Sequence, residues 1–247
     1  MVPDPFERLR ALGFDDAAAQ TLADHFLDAE GRGKAGHGLS RVDWLETLEG
    51  IDPTARPLRK VNEPGYEQWD GSGALGYLTL DAIVRSTLAD PPRRARVIVG
   101  RRTFPTGMLG YWARRLAAGG LVAALTATSP ARLGHPEGGP KLAGTNPLAI
   151  AIPSSDGSPV VADVSMGKVT YGAVLAGLAD EADLVPFGEE SAHKAFALAV
   201  GLQLFVDSLI GEGYGAVMLV ARPEADPVPA LRERAGAVRL PGDRSRG

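Results

Sequence analysis

A histidine and an arginine four residues apart, in Gly33-Lys-Ala-Gly-His37-Gly-Leu-Ser-Arg41, form the first pair able to do chemistry. An imidazole titrates near neutral pH and suits general acid–base work. Flanking glycines let it approach a ligand closely. A guanidinium one helical turn away offers a planar fork for a carboxylate. The local sequence alone leaves open a plain glycine-rich turn. The other histidines point elsewhere: His25 falls on the polar side of a helix and reads as surface, and His135 sits in a turn. His193-Lys194 starts an apolar helix, where a cation opposes the helix dipole. Either an anion compensates there or Lys194 snorkels to solvent. With no cysteine and no paired metal-binding histidines, no metal site is expected. The glycines of "GEGYG" (211–215) lie between a helix and a strand, the reverse of a Rossmann phosphate turn. "GRGKAG" lacks the P-loop pattern and a preceding strand.

The elements that must position these groups follow from periodicity. Helices are expected over residues 5–12 and 16–30, the second presenting Ala18, Leu22, Phe26 and Ala29 on one face with Asp15 as its cap. Ser40-x-x-Asp43 reads as a capping box opening a short helix, which puts His37 in the loop before it. Further helices are expected at about 78–89, 107–120 and 190–210. Strands are expected at 95–100, 121–128 and 215–222, with a hairpin of 146–153 and 158–165 around "SSDG". The fold class is α/β: a mostly antiparallel or mixed sheet, with helices from both chain ends packed together. Residues 1–75 plus 188–240 are assigned to a helical domain, and 76–187 to a sheet-containing one.

Composition bounds the rest. The 247 residues are 45% hydrophobic and 23% charged with net charge −4, so no basic surface argues for nucleic acid. "MVPDPFERLR" lacks a secretory pattern, and a cytoplasmic protein is expected. The longest apolar run, residues 195–206, is too short to span a bilayer and reads as a buried core helix, with no membrane association. "RLPGDRSRG" at the C-terminus is expected to fray.

Four segments in order, "AEGRGKAGHGLSRVDWL", "GGPKLAGTNPLAIAIP", "PVVADVS" and "HKAFALAV", resemble the malate/L-lactate dehydrogenase type 2 family. The resemblance runs from about residue 8 to the C-terminus, and "GTNPLAIAIP" is its most specific part. It implies a non-Rossmann fold, usually a homodimer, and NAD(P)-dependent interconversion of 2-hydroxy and 2-oxo acids or reduction of cyclic imino acids. On that pattern His37 is similar to the active-site histidine and Arg41 to the arginine holding the substrate carboxylate. Thr128, Ser129, Gly144, Thr145, Asn146, Asp163 and Lys194 fall in segments that line NADPH or NADH. The chain also departs from the pattern. Gly36 replaces a serine, and Pro105 stands where a second histidine is usual, although proline cannot transfer a proton. Ala195 and Ala197 replace glycines, and the stretch from Asp163 to Lys194 is short. Three readings follow. The first is a reductase of a small 2-oxo or 2-imino acid, with His37 as proton donor and Arg41 as carboxylate clamp. The second is a cofactor-independent isomerase, eliminase or cyclase acting on a carboxylic acid. The third is a binding protein that kept the cleft.

Overall fold

The structure, a computed structural model, describes residues 4–243. The chain starts with α1 (Pro5–Ala11), whose proline takes a position where no N–H is needed, and α2 (Asp16–Gly31). The Asp15 carboxylate caps α2 by accepting from Ala18 N–H at 2.8 Å. A single turn at Ala35–His37 leads into α3 (Ser40–Glu46). The expected capping box does not form. The Ser40 hydroxyl instead donates back to the Ala35 carbonyl at 2.7 Å, and Asp43 pairs with Arg8.

There follow β1 (Leu58–Glu63), β2 (Tyr66–Asp70), α4 (Gly76–Ala89), β3 (Ala95–Arg101), α5 (Leu109–Ala118) and β4 (Val122–Ala127). Next come the small pair β5 (Leu133–Gly134) and β6 (Lys141–Ala143), then the hairpin β7 (Leu148–Ile152) and β8 (Val160–Val164). The chain continues with α6 (Tyr171–Leu175), α7 (Ala192–Ile210), β9 (Gly215–Ala221) and α8 (Val228–Ala235). Seven strands form one sheet in the order β1-β2-β3-β9-β4-β7-β8, with only β2 and β3 parallel. It is the mixed, mostly antiparallel sheet that the sequence implies. The late strand β9 threads between β3 and β4, and β1, β2 and β9 come from outside residues 76–187. The sheet thus draws on both segments that the sequence assigns to separate domains.

Alternation along β9 shows the layering. Ala216, Met218 and Val220 join the main core beneath α1–α5, whereas Val217 faces Val206 and Ile210 of α7. The long C-terminal helix therefore lies across the sheet from the N-terminal helices, where the sequence reading packs them together. It is also not a buried core helix. The helical run Glu189–Ile210 is long and apolar enough by length and composition to cross a membrane, and exceeds the apolar run read from sequence. Ala199, Val206 and Ile210 pack inward, while Leu198, Leu204, Phe205 and Leu209 stay exposed. At the C-terminus residues 240–243 are tied down: Val161 N–H donates to the Pro241 carbonyl, and Asp243 pairs with Arg232. The rest of the stretch expected to fray, 244–247, lies outside the described residues.

His25 does not lie on the surface. It is fully buried, with its ring stacked on Trp112 and edge-on to Phe26, Tyr77 and Tyr111. Its Nε2 accepts from Met108 N–H at 3.0 Å, so the ring carries its proton on Nδ1, which has no partner among the described residues. Burial pushes its pKa down to about 3.

Candidate active site

A cavity of about 300 Å³ opens where the Lys34–His37 turn, α3, α4, α6 and the N-terminus of α5 meet one end of the sheet. His37 and Arg41 both line it. The glycines around His37 have a packing role. A methyl on Gly36 would fall 2.6 Å from Ala173 N in α6, and one on Gly38 would fall 2.0 Å from the Glu30 carboxylate. Glu30 in turn accepts from Leu39 N–H at 3.0 Å. The glycines let α6 and Glu30 clamp the turn from both sides, which fixes His37 in place. The side chain of His37 has no hydrogen bond among the described residues. Burial, and then the charges of Arg41 and Lys34, lower its pKa to about 4. The resting imidazole is neutral.

Arg41 is 6% exposed and sits over the Trp44 ring, 5.0 Å from its centre. No carboxylate pairs with it among the described residues, and its Nε and Nη2 are shut off without a partner. Nη1 is also unbonded but not shut off, and the residue lines the cavity. Burial lowers its pKa, and the nearby hydroxyls of Tyr77 and Tyr171 oppose that shift. Lys34 and Arg132 add two more cations to the lining, Arg132 lying flat on Tyr171 at 3.2 Å.

Asp163 is the one carboxylate in the lining. Paired with Ala149 in the β7–β8 ladder, it points to the α5 side of the sheet, and its Oδ2 accepts from Gly110 N–H at 2.8 Å. It caps the helix as an anion should. A side chain on Gly110 would strike that carboxylate, and burial raises the Asp163 pKa.

The structure divides the remaining residues singled out in the sequence. Thr128, Ser129 and Thr145 line the cavity. Gly144 and Asn146 stand behind its wall. Asn146 is fully buried; its Oδ1 accepts from Ser129 N–H, and its Nδ2 donates to the Ala199 carbonyl and to Gln203 Oε1. Gly144 N–H donates to the same Gln203 oxygen, and a methyl on Gly144 would fall 2.3 Å from Ser129 Oγ. Both residues thus bolt the Thr128–Ser129 loop to α7. Lys194 is exposed on α7 and does not reach the cavity. Pro105 does line it.

Sequence reasoning passed over Tyr77, Lys34, Arg132 and Tyr171, all in the lining. Lys34 was legible, being within the same glycine-rich stretch. Tyr77 had a fainter signal in the preceding Gly76, where a methyl would meet the Pro105 carbonyl at 2.5 Å. Tyr171 and Arg132 are brought together only by the tertiary fold.

Comparisons with known proteins identify relatives in sequence and in fold. A family model of malate/L-lactate dehydrogenases matches residues 6–182. A (2R)-3-sulfolactate dehydrogenase (NADP(+)) of Chromohalobacter salexigens is 34% identical over 175 residues, covering 68% of this chain and 51% of that protein. A Δ1-pyrroline-2-carboxylate/Δ1-piperideine-2-carboxylate reductase of Pseudomonas putida is 27% identical, covering 84% and 71%. The chain spans about half the length of several curated relatives that it matches. Among solved structures, malate dehydrogenase from Pyrococcus horikoshii superposes with a TM-score of 0.84 at 19% identity, over 97% of this chain and 82% of that one. At that identity the superposition establishes the shared fold. Sequence match and fold converge: the chain belongs to the malate/L-lactate dehydrogenase family.

Proposed function

We propose that the protein is a nicotinamide-dependent reductase of small 2-oxo acids or cyclic 2-imino acids, with Arg41 gripping the carboxylate and His37 handling the proton. The observation that carries this reading is the unpaired guanidinium of Arg41. A buried cation without a counter-ion is costly, and a carboxylate entering the cavity would remove that cost. Few other residues could accept the role, because Lys34 is exposed and Arg132 is held against Tyr171.

The cavity fits the nicotinamide end of NADPH or NADH. Met108, Leu109 and Pro147 give an apolar wall, and the hydroxyls of Ser129 and Thr145 have no hydrogen-bond partner among the described residues. Such a wall suits the face of the ring and such hydroxyls its carboxamide. The cofactor supplies hydride when bound. The chain's own residues hold the acid and exclude water from the reacting carbon, and His37 stands beside Arg41 to serve the oxygen or nitrogen. A substrate carboxylate against Arg41 offsets the positive field that depresses His37, so acid binding raises the pKa of the imidazole toward neutrality. An imino acid already protonated at nitrogen needs no proton from the protein.

Pro105 in the cavity lining and Lys194 outside it favour a second reading, cofactor-independent acid–base chemistry on the same carboxylic acid. Calorimetric titration with NADPH and NADH separates the two. Micromolar binding of either supports the reductase, and no heat from both refutes it. A cytoplasmic homodimer completes the proposal. The exposed apolar side of α7, with Leu198, Leu204, Phe205 and Leu209, is the face best suited to a second copy. Light scattering at working concentration tests it, a monomer mass being the contrary result.

A further inference from the structure

One polar group in the cavity has no part in that scheme. Tyr77 stands in the first turn of α4 and lines the cavity with His37 and Arg41, yet the residue as a whole is only 1% exposed. Its hydroxyl makes no hydrogen bond among the described residues. Unlike His25 Nδ1, that oxygen is not shut off from solvent. A phenol so placed has one open direction, the cavity.

The ring cannot easily turn away. His25 meets it edge-on at 5.0 Å and Phe26 at 5.3 Å. From the other side the Gly107 backbone presses so close that a methyl there would fall 2.3 Å from Tyr77 Cε1. Gly107 itself has φ +68°, a conformation that glycine adopts freely. Met108 N–H bonds to His25 and locks the arrangement. Burial raises the phenol to about 12, so the hydroxyl keeps its proton at any working pH. Arg41 lines the same cavity, and its charge opposes the burial shift at Tyr77. In a 2-oxo acid the carbonyl oxygen is adjacent to the carboxylate, so a donor facing the same cavity as the carboxylate clamp is placed to meet that oxygen.

We infer that Tyr77 is a catalytic residue that donates a hydrogen bond from its hydroxyl to the carbonyl oxygen of a 2-oxo acid held by Arg41. This rests on the reductase reading for its consequence in turnover, but not for its consequence in binding. A donor aimed at an oxygen that gains negative charge acts mainly in the transition state.

The test is Tyr77→Phe, which removes one oxygen and leaves the packed ring. The expected result is a loss of about 10²-fold in kcat for NADPH-dependent reduction of a 2-oxo acid. KM should rise by no more than about tenfold, the ground-state value of that one hydrogen bond, so that the larger loss falls in kcat, and the melting temperature should not fall. In parallel, calorimetry compares oxamate, a carboxylate with an adjacent carbonyl, with propionate, which has none. Y77F should weaken oxamate by about tenfold, the value of one good hydrogen bond, and leave propionate unchanged. Oxamate weakening without any NADPH-dependent turnover in the wild type would refute the reductase reading and support the Tyr77 contact. Equal loss for both acids, or no loss for either, overturns the inference.

Discussion

His25 and His37 lie on neighbouring segments, are neutral at working pH, and owe their depressed pKa values first to burial. They differ in what their nitrogens meet. His25 spends Nε2 on the Met108 amide and buries Nδ1 among aromatic rings, whereas His37 spends neither nitrogen on the protein and stands in a cavity with an unpaired arginine. One imidazole is held by the protein, and the other lines the cavity with both nitrogens unbonded. Burial and a shifted pKa do not tell the two histidines apart; the cavity that the unbonded nitrogens of His37 share does.

Substitutions should separate the pair. The largest expected effect is in His37→Gln: a loss of about 10²- to 10⁴-fold in kcat/KM for the acid, with little change in melting temperature. Activity loss that merely tracks unfolding would erase the distinction. Arg41→Met comes next and should act in two opposite senses. Removing the buried unpaired charge should raise stability by about 1–3 kcal/mol in urea unfolding, while KM for the acid rises steeply. A destabilised R41M would mean that the guanidinium has a partner in the folded protein.

His25→Phe should show the reverse profile, losing about 1–3 kcal/mol because the Met108 N–H is left unsatisfied. It should also change the pH dependence of stability. Both histidines have folded pKa values below the unfolded value of 6.5, so the unfolded chain binds more protons as pH falls through 6.5. Stability should therefore drop on acidification from pH 6.5 toward 4, by up to about 1.4 kcal/mol per pH unit for each histidine. H25F should remove about half of that histidine slope, and an unchanged slope would show that His25 titrates normally when folded. The smallest effect is reserved for Lys194→Ala, which should alter NADPH affinity by less than about twofold, since the side chain is exposed and apart from the cavity.

Much of this was legible in the sequence, for reasons that can be named. The helix caps at Asp15, the β7–β8 hairpin and the placement of His37 before α3 follow from local turn and periodicity rules. The ordered motifs led to the family, and through it to Arg41, Thr128, Thr145 and Asp163 on one cavity. His25 was misread because helical spacing treats it as polar, whereas its surroundings are set by α4, α5 and the 104–108 segment. The exposed side of α7 was misread because composition records how apolar a helix is and not how much of it the sheet covers. Gly144 and Asn146 match a binding motif, yet their hydrogen bonds go to α7 and the Ser129 loop, a pairing that no local pattern encodes.

We place the substrate carboxylate on the Arg41 guanidinium in the proposed nicotinamide-dependent reduction. Initial rates of NADPH consumption with a 2-oxo acid and with its methyl ester, in wild type and R41M, test it most directly. The prediction is that wild type prefers the acid by about 10²-fold, in line with the loss of a charge-paired contact, and that R41M has no preference. Equal rates with acid and ester in the wild type, or a preference that survives in R41M, would contradict it.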